Sequence, residues 1–143
     1  MNRKNRLLIL SGLVVAIVIA VVASLNGTSK GVSENITEPH IVDTKTLTKM
    51  INSKEEMVIV DLREPELFSQ SRVPGSINIP FEEIPSRYTE LPNDKKIVFV
   101  CHTGRMGMES GNLLLENGFK QVYNLGGGIA KWTGELEKNY KEG

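Results

Sequence analysis

From His40 onward, short apolar runs alternate along the chain with segments of helical period. The continuous apolar runs Met57–Val60 and Ile97–Val100 are typical of strands that are buried on both faces. Shorter runs at His40–Val42, Ser76–Ile79 and Gln121–Asn124 predict three further strands.

The segments between these strands predict helices. Asp43 or Thr44 is expected to cap the first, which places Leu47, Met50 and Ile51 on one face. The others are expected at Glu64–Gln70, at Glu82–Leu91 as a polar helix or turn interrupted by Pro85, at Arg105–Asn117 before the stop signal Gly118, and at Ile129–Tyr140. Repeated strand–helix alternation predicts an α/β fold of three layers, with a central parallel sheet and helices on both faces.

The N-terminal segment differs sharply from the rest of the chain. Residues Leu7–Leu25 carry no charge, and a helix of that length would nearly match the roughly 30 Å hydrocarbon core of a bilayer. Arg3, Lys4 and Arg6 precede it, and the next basic residue is Lys30. The sequence therefore predicts one transmembrane helix with a cytoplasmic N-terminus and the remainder of the chain outside the cytoplasm.

A cleaved signal peptide is the competing interpretation, because Val21-Val22-Ala23 is an acceptable cleavage site. The apolar run is longer than a signal peptide needs, which favours an uncleaved anchor, whereas cleavage near Ala23 would release a secreted domain. The predicted organisation is an anchor or signal peptide at 1–25, a flexible linker rich in Gly, Ser, Thr and Asn at 26–39, and one domain at 40–143.

Charge and cysteine content exclude several classes of function. From His40 the chain has 13 Lys and Arg against 15 Asp and Glu with no basic run, which argues against nucleic acid as a partner. One cysteine and two histidines provide no internal disulfide and no metal-site spacing. We therefore expect no metal and no cofactor.

The single cysteine, Cys101, follows the most hydrophobic strand and opens the glycine-containing loop His102–Gly107, which leads into a helix. A strand–loop–helix junction aims consecutive backbone N–H groups and the positive end of the helix dipole at the loop. A thiol there is expected to act as a nucleophile and to bind anions. The alternative is that Cys101 is a small buried apolar residue, as most free cysteines are.

Four segments together resemble the single-domain rhodanese family. The loop from Cys101 is similar to the family's active-site loop Cys-x-x-Gly-x-Arg, and Asp61-Leu62-Arg63-Glu64 to its Asp-x-Arg-Glu. Val73–Pro80 resembles its His-Ile-Pro-Gly-Ala-Ile-Asn-Ile-Pro segment, and Asn124–Trp132 its Leu-x-Gly-Gly-x-x-x-Trp signature. The four occur in the family's order over roughly residues 39–140, which makes the resemblance specific.

The resemblance implies a rhodanese-like fold and a sulfurtransferase activity. A sulfane sulfur would pass from thiosulfate or a persulfide donor, through a persulfide on Cys101, to a thiol, a cyanide-like acceptor or a protein acceptor. Donor-binding residues would be His102, Thr103, Gly104, Arg105, Met106 and Gly107, with Asp61 and Arg63 in support.

The chain departs from the family pattern at one position. The family's loop arginine corresponds to Met106, and the arginine of this chain stands one position earlier, at Arg105. Adjacent residues in a tight loop point in different directions, so Arg105 does not automatically replace that guanidinium. The alternative function is therefore a catalytically weak module that binds or senses an anion or a partner at the membrane surface. A phosphatase with Cys-x5-Arg is disfavoured because Gly107 occupies the arginine position.

Overall fold

The computed structural model of the protein describes residues 38–138. The predicted anchor or signal peptide at 1–25, and all but the last two residues of the predicted linker at 26–39, lie outside the described residues. Among the described helices, none has the length and apolar character needed to cross a bilayer.

Five parallel strands form one sheet, as the apolar runs predict. They are β1 (His40–Val42), β2 (Met57–Asp61), β3 (Ile77–Asn78), β4 (Lys96–Val100) and β5 (Val122–Leu125). Their order across the sheet is β1-β5-β4-β2-β3, and every pairing is parallel. Strand β4 is central, so the residue that follows it lies in the middle of the carboxyl edge, where ligands bind in sheets of this type.

Helices cover both faces of the sheet, so the predicted α/β architecture with a central parallel sheet is confirmed. They are α1 (Thr44–Asn52), α2 (Pro65–Gln70), α3 (Ile84–Arg87, between two 3-10 turns at Phe81–Glu83 and Tyr88–Glu90) and α4 (Arg105–Glu116). On one face, Phe99 of β4 packs in a core with Ile84 and Leu114. On the other face, Val98 packs in a core with Leu47.

The first helix forms as its sequence predicts. Asp43 is the cap, because its carboxylate accepts a hydrogen bond from the Thr46 N–H at 2.7 Å. Leu47 and Met50 of the predicted apolar face are buried. This helix holds β1 and its side of the sheet in place.

The predicted last helix, Ile129–Tyr140, is wrong over its described part. The chain forms only a 3-10 turn at Gly128–Lys131 and then becomes extended at Trp132. Glu137 exchanges two backbone hydrogen bonds with Arg72, at 3.0 and 2.9 Å, so its amide pairs with another segment instead of a helical carbonyl. Gly134 lies tightly under the Trp132 ring, where an added Cβ would be 2.8 Å from Cε2. Long-range pairing and this packing outweigh the helical pattern.

Candidate active site

Cys101 is the first residue after β4, and it is buried with 1% of its surface exposed. Its Sγ accepts a hydrogen bond from the Gly104 N–H at 3.0 Å. Gly104 has φ 103°, a left-handed conformation that glycine adopts at no steric cost, and it ends the loop directly before α4. The chain thus turns back on itself so that a backbone amide faces the sulfur.

Further amides of this loop are available to an anion. Within residues 38–138, no acceptor pairs with the N–H groups of His102, Thr103, Arg105, Met106 and Gly107. The last three form the first turn of α4, where N–H groups have no intrahelical partner. Together with the helix dipole, these unpaired N–H groups make the loop and the start of α4 a region of positive potential, which suits an anionic sulfur species on Cys101.

The glycine-rich turn after β5 is hydrogen-bonded to the backbone of the Cys101 loop. The Ile129 N–H donates to the Cys101 carbonyl at 2.8 Å, and the Ala130 N–H to the His102 carbonyl at 3.1 Å. Gly128 has φ 59°, and a Cβ added there would overlap the Cys101 carbonyl oxygen and lie 2.6 Å from the His102 carbonyl carbon. Only glycine lets the two segments approach this closely.

Asp61 and Arg63 form a buried ion pair at the end of the neighbouring strand β2. Arg63 Nη2 donates to Asp61 Oδ2 at 2.6 Å and to the Ser71 carbonyl at 2.7 Å. The backbone next to the pair is joined to the catalytic strand, because the Leu62 N–H donates to the Val100 carbonyl at 2.8 Å. These bonds hold the carboxyl end of β2 against the carboxyl end of β4, where Cys101 lies. This agrees with the expectation that Asp61 and Arg63 support the site.

The side chains of the two residues at the altered position of the loop have different surroundings. The Arg105 guanidinium donates to Glu109 Oε1 at 2.9 Å, and its side chain is 78% exposed. Met106 is half-buried against the apolar core that includes Cys101. Of the predicted donor-binding residues, Gly104 donates its backbone N–H to the sulfur, while the Arg105 guanidinium is bonded to Glu109 on the outer face of α4.

His102 and Glu64 meet at the rim of the loop. His102 Nε2 lies 3.1 Å from Glu64 Oε2, and both side chains are exposed. The pKa of Glu64 is lowered, first by a hydrogen bond from its own backbone N–H and then by His102. An ionised carboxylate therefore stands beside the residue that follows the nucleophile. The Asp-x-Arg-Glu segment contains Glu64, but nothing in the sequence indicates its contact with His102.

Asn124 was not among the residues that sequence reasoning selected. It is buried in β5, and its Nδ2 donates to the Gly104 carbonyl at 2.8 Å. The available signal was a polar residue within an otherwise hydrophobic strand end next to the glycine-rich turn.

In the described part of the chain, no group of three His, Cys, Asp or Glu side chains is placed to hold a metal ion.

Comparison with known proteins agrees with this geometry. Residues 43–135 match the rhodanese-like domain family. The chain belongs to that family. The rhodanese resemblance of the sequence is therefore confirmed for the domain.

Several relatives carry sulfur-transfer names. The chain is 35% identical over 96 residues to the putative sulfurtransferase YtwF of Bacillus subtilis, which covers 67% of this chain and 92% of that protein. It is 31% identical over 92 residues to a sulfurtransferase of Allochromatium vinosum, and the match covers 64% of this chain and 86% of that protein. The putative sulfur carrier protein YrkF of Bacillus subtilis is 31% identical over 104 residues, which span 73% of this chain but 56% of YrkF.

Solved structures give the same result for the fold. The rhodanese-like domain protein from Staphylococcus aureus superimposes with a TM-score of 0.63 at 25% identity, over 71% of this chain and 99% of that one. A rhodanese-related protein from Thermoplasma volcanium superimposes with a TM-score of 0.61 at 25% identity, over 68% and 97%. The solved structures thus agree with the rhodanese-like fold, and the relatives named as sulfurtransferases match at modest identity.

Proposed function

We propose that this protein is a sulfurtransferase that carries a sulfane sulfur as a persulfide on Cys101. The observation that carries the proposal is the placement of the Cys101 sulfur beneath the Gly104 N–H, at the N-terminus of α4. Backbone donors in that position stabilise an anionic sulfur without needing a charged side chain. Relatives named as sulfurtransferases support the same chemistry.

The reaction needs one cysteine and no net oxidation. The Cys101 thiolate attacks the outer sulfur of the donor, the donor's S–S bond breaks, and sulfite or a thiolate leaves with the bonding electron pair. A thiolate acceptor then attacks the outer sulfur of the Cys101 persulfide. That S–S bond breaks, the acceptor becomes a persulfide, and the Cys101 thiolate is regenerated.

The charges around the loop favour a persulfide donor over thiosulfate. Thiosulfate is a dianion whose sulfonate group calls for a cation. Here the Arg105 guanidinium is bonded to Glu109, and the side chain at the family's arginine position is the apolar Met106. The Glu64 carboxylate at the rim adds repulsion. An organic persulfide presents less charge to the loop and depends on the amide donors alone.

A turnover assay tests the proposal. The described domain is incubated with an organic persulfide donor and a dithiol acceptor, and sulfide release is followed against a Cys101→Ser variant. We expect release by the wild-type domain and none above background by the variant. Equal release by both proteins would refute the proposal. The shifted arginine favours the alternative of a catalytically weak module that binds or senses an anion or a partner, which predicts no sulfide release above background by either protein.

We also infer that residues 7–25 anchor the domain outside the cytoplasm, on the basis of the apolar run and the basic residues before it. Protease added to spheroplasts should digest the domain while a cytoplasmic marker stays intact. Protection of both would contradict this orientation. Recovery of a domain that begins near residue 24 in the medium would instead favour a cleaved signal peptide.

A further inference from the structure

Asn124 is hydrogen-bonded to the carbonyl of Gly104, the residue whose N–H donates to the Cys101 sulfur. It lies on β5 opposite Phe99 of β4, with 1% of its surface exposed. Its Nδ2 donates to the Gly104 carbonyl at 2.8 Å, while the Gly104 N–H donates to Cys101 Sγ at 3.0 Å. Gly104 is thus held at both ends in its left-handed conformation.

The orientation of the Asn124 amide is set by this bond. If the amide were rotated by half a turn, Oδ1 would face the Gly104 carbonyl, and two acceptors would repel each other. In the observed orientation Oδ1 is buried and has no hydrogen-bond partner. A buried acceptor without a partner is unfavourable for stability. The asparagine is therefore poorly explained as a packing residue and well explained by the bond that its Nδ2 makes.

The first turn of α4 is fitted to this side chain. Gly107 lies over the Asn124 amide, and a Cβ added at Gly107 would overlap Oδ1 and lie 2.8 Å from Cγ. The absence of a side chain at Gly107 allows the helix N-terminus to approach β5 closely. Asn124 and Gly107 together determine how closely the N-terminus of α4 and the preceding loop pack against β5.

We propose that Asn124 is a positioning residue, which holds Gly104 so that its N–H is directed at the Cys101 sulfur. This role rests on the proposed function only where sulfur transfer is measured. An N–H directed at a thiolate also affects the reaction of that thiolate with other electrophiles, so the role can be tested without sulfur transfer. Loss of the Asn124 bond leaves the Gly104 carbonyl with the longer bond from the Met108 N–H, at 3.2 Å, so Gly104 relaxes and its N–H is withdrawn from the sulfur. The thiolate then forms less readily.

The test is the pH profile of Cys101 alkylation by iodoacetamide in an Asn124→Leu variant, since leucine fills a similar volume without the amide. We expect cooperative unfolding to be retained, the profile to move to higher pH, and sulfur transfer to fall about 10- to 100-fold. Ser110→Ala is the matched control. Ser110 lies on α4, is equally buried and also has an unpartnered oxygen. Its removal should leave the profile unchanged.

Three results would overturn the proposal: coincidence of the Asn124→Leu and wild-type profiles, an equal shift in Ser110→Ala, or loss of folding in Asn124→Leu alone. A displaced profile with no sulfur transfer even in the wild type would support the positioning role and reject the proposed function, which keeps the two failures distinct. Gly107→Ala supplies a second arm. It should displace the profile in the same direction, and the double variant Gly107→Ala/Asn124→Ala should be displaced no further than Asn124→Ala alone. Additive displacements would contradict the coupling.

Discussion

The Arg105 guanidinium donates to Glu109 Oε1 at 2.9 Å, one helical turn further along α4. The pair lies on the outer surface of the helix, where the Arg105 side chain is 78% exposed. In the family pattern, the loop cation comes one residue later. A shift of one residue on a helix rotates a side chain by about 100°, so the guanidinium of this chain has turned from the loop towards solvent.

This placement predicts how the protein uses thiosulfate. Arg105→Ala should change the thiosulfate kcat/KM by less than about twofold, because surface pairs of this kind contribute little energy. Met106→Arg should raise kcat/KM by lowering KM, since it returns a guanidinium to the family's position. Steady-state kinetics with thiosulfate and with an organic persulfide measure both effects. Glu109→Gln is the control, because it frees Arg105. A marked fall in the thiosulfate KM in that variant would place Arg105 within reach of the donor.

The buried pair of Asp61 and Arg63 should be important for stability. Asp61→Asn leaves the Arg63 cation buried without its counter-ion, and we expect the free energy of unfolding to fall by about 3–5 kcal/mol. Urea unfolding of the domain measures this loss. In the exposed pair, Glu109→Gln should cost less than about 0.5 kcal/mol. Similar losses in the two variants would refute a structural role for the buried pair.

Gly128 should tolerate no side chain, whereas Gly75 isolates the effect of backbone conformation. Both have positive φ, 59° and 74°, but an added Cβ at Gly75 has nothing within 4 Å. Gly75→Ala should cost about 1–2 kcal/mol of unfolding free energy and leave sulfur transfer intact. Gly128→Ala should cost about 2–5 kcal/mol and abolish transfer, because its methyl group displaces the Cys101 carbonyl. Unfolding and activity assays would contradict this if the two variants behaved alike.

The contact between His102 and Glu64 predicts a pH effect. The pKa of Glu64 lies below its ordinary value near 4.5, so its ionised form adds stability above that pH, and the contribution is lost as the pH falls through the lowered pKa. His102→Ala removes the second cause of the lowering and leaves the first, the backbone N–H of Glu64. We expect the pKa of Glu64 to rise towards 4.5 in an NMR titration of its carboxyl carbon. An unchanged or lower value would show that the imidazole does not stabilise the carboxylate.

The sequence predicts the sheet better than it predicts the site. Runs such as Ile97–Val100 must be buried on both faces, so their burial determines where the strands lie and places Cys101 at the carboxyl edge. The segment after Lys131 was predicted to be helical and is extended, because its backbone pairs with Arg72, which is distant in sequence. The contacts of Asn124 with Gly104 and of His102 with Glu64 join different elements. The spacing of apolar residues within one segment contains no information about either contact.

The most direct measurement is intact-protein mass spectrometry of the domain after brief treatment with an organic persulfide donor, followed by peptide mapping. We expect the mass of one added sulfur on the peptide that contains Cys101, loss of that mass when a thiol acceptor is added, and no addition in Cys101→Ser. An unmodified Cys101 in a folded domain at saturating donor would contradict the account. So would an added sulfur that no acceptor removes.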